Sequence, residues 1–147
     1  MQVQTYLFFD GNCEEAVSFY REALGAEVQA MMRYSDSPEP LPPGMVPEGK
    51  ENQVMHTSFR IGETTIMASD APCGDARPQF GGFSLSLDAA DETEARRLFD
   101  TLAEGGTVSM PLDRTFFSPC FGMLTDCFGV SWMVIVPGED CPENAAG

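Results

Sequence analysis

One histidine, His56, and one tryptophan, Trp132, occur in 147 residues. A single histidine excludes an H-E-x-x-H zinc protease and leaves any cysteine nucleophile with one candidate imidazole base. Basic residues are also scarce: 8 Lys and Arg stand against 23 Asp and Glu, a net charge of -15. Such a surface repels phosphate backbones and anionic headgroups, so neither nucleic acid nor membrane is expected as a partner. Cys13, Cys73, Cys120, Cys127 and Cys141 contain no C-x-x-C pair and are odd in number, which argues against a disulfide framework. Small, partly buried thiols are the expectation for all five, with Cys120 or Cys127 as a nucleophile the alternative. The longest apolar run, WMVIV at 132–136, is far too short to cross a bilayer. The opening MQVQTYLFFDGN lacks a basic stretch leading into a long apolar one, so no secretory signal is expected and a cytoplasmic location is. G-x-S-x-G and Walker A motifs are absent. A Gly-rich strand-to-helix turn for S-adenosylmethionine is absent too: Gly25 and the Gly105–Gly106 pair follow helical stripes, where they act as stops.

What the chain does have is a repeat. NCEEAVSFYREALGAEV opens on Asn12 with Glu15 three residues on, a helix-start signal in which the two side chains cap reciprocally. Ala16, Phe19, Tyr20, Ala23 and Leu24 then recur at helical spacing. DETEARRLFDTLAEGGTV repeats the pattern roughly 80 residues later, with Asp91 and Glu94 at the start and Ala95, Leu98, Phe99, Leu102 and Ala103 in the stripe. A strand-like run precedes each helix, at 3–9 and 82–88, and three follow it, at 27–34, 53–61 and 64–69, then at 107–112, 122–125 and 131–136. Gly62–Glu63 reads as a tight Gly-first hairpin.

The expectation is one α+β domain over 1–137, built of two tandem βαβββ modules, about 1–70 and about 82–137, with a linker at 71–81 and a frayed tail at 138–147. A unit this small cannot bury both faces of its sheet. Paired units would form a curved mixed sheet with the helices on its outer face and a cleft on the inner. The segment 35–52 carries five prolines and no period, and is either a lid or a plain insertion.

The stretches YLFFDGNCEEAVSFYREALGAEV, VMHTSFRIGETTIMASD and FGMLTDCFGVSWMV resemble the PhnB-like branch of the vicinal oxygen chelate superfamily. That superfamily includes glyoxalase I, bleomycin-resistance proteins and extradiol dioxygenases, and the branch is also labelled 3-demethylubiquinone-9 3-methyltransferase-like. The resemblance spans about 3–136, and one departure is visible: Cys127 stands where the DPFG turn usually has proline. The resemblance implies a glyoxalase/bleomycin-resistance-like fold, a homodimer or paired modules, and a cleft lined by two half-sheets. It also implies four cleft positions that hold a divalent ion in the metal-dependent members, falling here on Thr5, His56, Gly82 and Met133.

Only His56 among these four is a good ligand for a catalytic zinc or iron ion, which needs about three. No tightly bound metal or other cofactor is therefore expected, a divalent ion held through His56 alone being the runner-up. Strand alternation puts His56, Ser58 and Arg60 on one face, expected to line the cleft with Thr5, Gly82, Ser84, Ser131 and Met133. Phe117 and Phe121 are expected at its rim, together with Phe116. Trp132 is expected to face the helices.

His56 is the candidate acid, base or anion partner, or else a histidine hydrogen-bonded to its neighbours on a half-wet strand. The favoured function is binding of a small organic molecule in an apolar cleft. The alternatives are a lyase, isomerase or transferase of the same superfamily that uses His56, and a non-catalytic interaction module.

Overall fold

The computed structural model describes residues 1–38, 49–70 and 79–138. The heart of the proline-rich segment (39–48), most of the expected linker (71–78) and the tail from 139 onward lie outside the described residues. The chain divides into two compact units, Met1–Pro78 and Gln79–Gly147, and each carries one copy of the repeat.

The first unit runs β1 (Thr5–Phe9), α1 (Cys13–Leu24), β2 (Glu27–Arg33), a single 3-10 turn at Tyr34–Asp36, β3 (Val54–Ile61) and β4 (Thr64–Asp70). The second runs β5 (Leu85–Asp88), α2 (Glu92–Ala103), β6 (Thr107–Asp113), β7 (Cys120–Thr125) and β8 (Ser131–Val136). Each unit has a four-stranded mixed sheet, ordered β1-β4-β3-β2 and β5-β8-β7-β6. In both, the strand before the helix lies parallel to the last strand, and the other pairs are antiparallel. The fold is thus α+β, βαβββ twice over.

The helix stripe dictates which strand residues are buried. In the first unit Ala16, Val17, Tyr20 and Ala23 of α1 are buried, as are Leu7, Phe9, Thr57, Phe59, Ile66 and Ala68 of the sheet. Tyr20 stacks on Phe59 with ring centroids 6.0 Å apart. In the second unit Ala95, Leu98, Phe99 and Leu102 of α2 are buried, along with Leu124, Trp132 and Val134. Gly122 lets α2 approach β7 closely: a Cβ there would stand 2.7 Å from the Phe99 ring. Each large apolar side chain so buried contributes about 1.5–3 kcal/mol.

The two helix starts are capped differently. Asp91 accepts from the Glu94 N–H at 2.8 Å, as its position predicts. Asn12 makes no capping bond through its side chain, contrary to the reciprocal cap expected of Asn12 and Glu15. The acceptor comes instead from the far end of β4. Asp70 Oδ1 takes the Cys13 N–H at 2.9 Å, and its Oδ2 takes the Val54 N–H at 2.9 Å. The Tyr34 hydroxyl donates to the Asp70 carbonyl at 3.2 Å. One buried carboxylate therefore ties α1, β3 and the 3-10 turn to the end of β4.

Candidate functional site

Residues directly opposed across a sheet point to the same face. In the first unit Thr5, Ile66 and Phe59 form one such row, on the face buried under α1. Tyr6, Met67, Ser58 and Ala30 form the next row, on the opposite, open face, and Met32 opposes His56 there. Thr5 is therefore not a lining residue beside His56: with Leu7 and Phe9 it faces the helix. The residue of β1 that reaches His56 is Tyr6, which the sequence reading missed.

Tyr6 and His56 form the polar centre of this face. The Tyr6 hydroxyl and His56 Nδ1 are 3.0 Å apart and part-buried. The Tyr6 ring lies 5.6 Å from the imidazole and 4.9 Å from Phe8, centroid to centroid. Phe8 and Met32, 48% and 40% exposed, present apolar surface to solvent around the pair. Ser58 and Met67 are half-buried on the same face. Arg60, expected to offer a guanidinium to the cleft, is committed elsewhere: its Nη2 binds Glu27 Oε2 at 2.6 Å on the exposed margin of the sheet.

His56 Nε2 has no hydrogen-bond partner among the described residues. No buried side-chain nitrogen or oxygen among them lacks a partner, so Nε2 is not fully buried. An aromatic surface with one phenol–imidazole pair, and one ring nitrogen of that pair free, can receive a small molecule with a single polar contact.

Among the described residues the second unit carries no such pair on its corresponding face. Met133 of β8 is half-buried opposite Met123 and Ser86, away from α2, while Trp132 is buried on the α2 side. Ser131 Oγ lies 3.4 Å from Thr125 Oγ1 across the β7–β8 ladder. Phe121 packs edge-on against Phe117, and Phe117 against Phe116, each at 5.1 Å between centroids. Phe116 is almost wholly exposed, so this aromatic cluster ends in solvent. Gly82 and Ser84 were expected on the first strand of this unit, but β5 begins only at Leu85. Gly82 is an exposed residue with φ at 73°, a turn conformation suited to glycine, and not a strand position.

The buried thiols of Cys13 and Cys120 are poor nucleophiles. Burial pushes the Cys13 thiol up to about 12, helped by the neighbouring Asp70 and Glu14 carboxylates. Burial raises Cys120 as well, with Glu92 adding to the effect. Among the described residues no three of the His, Cys, Asp and Glu side chains stand together as a metal cage would require. No helix among them is long and apolar enough to cross a membrane.

Residues 1–135 match the family model described as 3-demethylubiquinone-9 3-methyltransferase. The chain belongs to that family. The chain is 38% identical to Protein YjdN from Escherichia coli (strain K12), over 92% of this chain and 95% of that one. Its fold matches the crystal structure of protein PA1353 from Pseudomonas aeruginosa at a TM-score of 0.79 with 43% identity, covering 93% of this chain and 98% of the other. It matches the family's PhnB protein from Bacillus cereus at 0.74 with 31% identity, covering 92% and 99%. Beyond the family, the fold is that of a glyoxylase/bleomycin resistance protein/dioxygenase domain from Frankia, at a TM-score of 0.67 and 14% identity over 94% and 98%. It is also that of the fosfomycin resistance protein FosX from Listeria monocytogenes, solved with Mn(II), at 0.65 and 10% over 100% and 98%. The family and the glyoxalase/bleomycin-resistance superfamily fold follow from these likenesses.

Proposed function

We propose that this family member binds a small organic molecule on the open face of its first sheet, with the Tyr6–His56 pair as the polar anchor and no tightly held metal. One observation carries the reading. A part-buried imidazole is fixed by a phenol at 3.0 Å among Phe8, Met32 and Met67, while its second ring nitrogen has no hydrogen-bond partner among the described residues.

The donor set does not fit a catalytic divalent ion of the kind FosX is described with. Thr5 faces the helix, Gly82 offers no side chain, and Met133 offers a thioether, which suits only soft ions. A phenol beside one imidazole is two groups short of the usual three good ligands.

A thermal-shift screen of metals and metabolites, run in parallel on wild type and His56→Ala, tests the reading. The expected result is an organic hit whose affinity falls about fivefold or more on losing the imidazole, the usual value of one hydrogen bond. An equal response in both proteins would remove His56 from the site. Stoichiometric zinc, nickel, manganese or iron in the purified protein would replace the binding reading with a metalloenzyme.

A further inference from the structure

The polarity of the anchor can be read from its partner. Across the 3.0 Å contact either group can in principle donate. A phenol is a good donor and a weak acceptor, because its lone pairs are delocalised into the ring; a neutral imidazole has one pyridine-type nitrogen that is a strong acceptor. The favoured arrangement is Tyr6 O–H donating to Nδ1. A neutral imidazole that accepts at Nδ1 carries its proton at Nε2. Nε2 is the nitrogen without a partner among the described residues.

We propose that Tyr6 locks His56 in the Nε2–H tautomer, so that this site offers a hydrogen-bond donor and selects an apolar, flat molecule bearing a neutral carbonyl oxygen. The inference rests on the binding reading above and deepens it. It also removes one alternative. A base must have a lone pair facing the substrate, and the lone pair of this imidazole is occupied by Tyr6. His56 is thus a donor and not a proton acceptor, and Tyr6 is its positioning residue.

Local and global electrostatics pull in opposite directions here, which makes the ligand class testable. A net charge of -15 attracts cations and repels carboxylates over the whole surface. An N–H donor repels cations and attracts carbonyl oxygens at the one contact that orients the ligand. Phe8, Met32 and Met67 on the same face suit an aromatic or aliphatic body. A neutral carbonyl satisfies the contact without opposing the overall field.

Because the chain has a single histidine, its two ring nitrogens give one unambiguous set of signals in a long-range proton–nitrogen NMR spectrum of the tag-free, nitrogen-15-labelled protein. The spectrum is followed from neutral to alkaline pH, and the tautomer is read where the ring signals no longer change with pH. The expected result is a pyridine-like Nδ1 and a pyrrole-like Nε2, with the Nδ1 signal moving in Tyr6→Phe as its donor is lost. A protonated Nδ1 in the wild type overturns the proposal, as does a Tyr6→Phe spectrum identical to wild type. If Tyr6→Phe does not fold, the wild-type tautomer alone decides.

Acetophenone, benzoate and benzylammonium are then titrated into the same sample. Saturable movement of the Nε2 signal is expected with acetophenone, less with benzoate and none with benzylammonium, and Tyr6→Phe should weaken acetophenone by about fivefold. Benzylammonium binding as well as acetophenone overturns the proposal. If no probe moves the ring, the binding reading itself falls and the ligand class with it; the tautomer, recorded without ligand, shows which of the two arguments failed.

Discussion

Replacing Asp70 by alanine removes two acceptors at once. The N–H groups of Cys13 and Val54, both on buried residues, each lose a carboxylate oxygen at 2.9 Å. An orphaned buried donor costs about 1–3 kcal/mol, and losing a negative charge at the start of α1 adds about 0.3–1 kcal/mol. Removing the desolvation cost of a buried carboxylate returns part of this. The net expectation is a loss of about 3 kcal/mol, a large share of the roughly 5–15 kcal/mol that holds a domain together. Asp70→Asn keeps the volume and one acceptor but turns an amide N–H₂ toward the other donor, so it should lose about half as much. Asn12→Ala is the informative control. If Asn12 capped α1, as its place in the sequence predicts, its loss would cost about 1 kcal/mol. With no side-chain bond to lose, it should cost no more than about 0.5 kcal/mol. Urea unfolding followed by far-ultraviolet circular dichroism measures all three, with an unchanged denaturant slope confirming that compactness is the same. An Asp70→Ala loss under about 1 kcal/mol, or an Asn12→Ala loss equal to it, would refute the cross-strand cap.

Gly106→Ala should destabilise by about 2 kcal/mol or more, because a Cβ would stand 2.2 Å from the Thr125 backbone carbonyl oxygen, which cannot move aside. Gly25→Ala, where φ is 69° but nothing lies within 4 Å, should cost about 1 kcal/mol; a reversed ranking in urea melts would contradict the packing around α2. Maleimide labelling of the native protein at mildly alkaline pH, mapped by peptide mass, should find Cys127 modified and Cys13 and Cys120 spared until denaturant is added. Early labelling of Cys13 would mean that the start of α1 opens. Cys13 also sets an alkaline limit. Its folded value is raised to about 12 from 9.0, so its contribution to stability is complete below about pH 9 and is lost progressively between there and about 12. Cys13→Ala should flatten that part of the stability–pH curve.

The repeat, the order of the elements and the helix stripes were legible in the sequence because each rests on strong periodicity. Ala16, Tyr20 and Ala23, then Ala95, Leu98, Phe99 and Leu102, are buried as their spacing requires, whereas Phe19, Leu24 and Ala103 of the expected stripes are half-buried and Val17, outside them, is buried. FSLSLD alternates cleanly, although only its last four residues form a ladder. Thr5 was misassigned for a physical reason. TYLFF has four consecutive apolar or aromatic residues, so alternation gives no phase, and a one-residue slip carries every side chain to the other face. The signal that could have set the phase is Asp10 directly after Phe9, which marks the strand's end, with Phe9 as the last residue committed to the core. The cap supplied by Asp70 was illegible because it is long-range: it joins residues 57 apart in sequence, and no local pattern encodes that distance.

The two repeats show why fold was easier to read than site. Each strand serves two masters on opposite faces. On the helix side, packing at near-crystalline density leaves little choice, and a buried apolar set recurs in both units. On the open side nothing in the helix constrains the residue, so the two copies diverge: Tyr6 and His56 make a hydrogen-bonded pair in one, while Met123, Met133 and Ser131 occupy the other. Periodicity therefore reports the face that makes the fold and is nearly silent on the open face. The lone histidine stood out by rarity, but its partner could be found only once the register of β1 against β4, and of β4 against β3, was known. Under the binding proposal, it is that partner which sets whether the imidazole offers a proton or a lone pair, and so which kind of molecule the open face would hold.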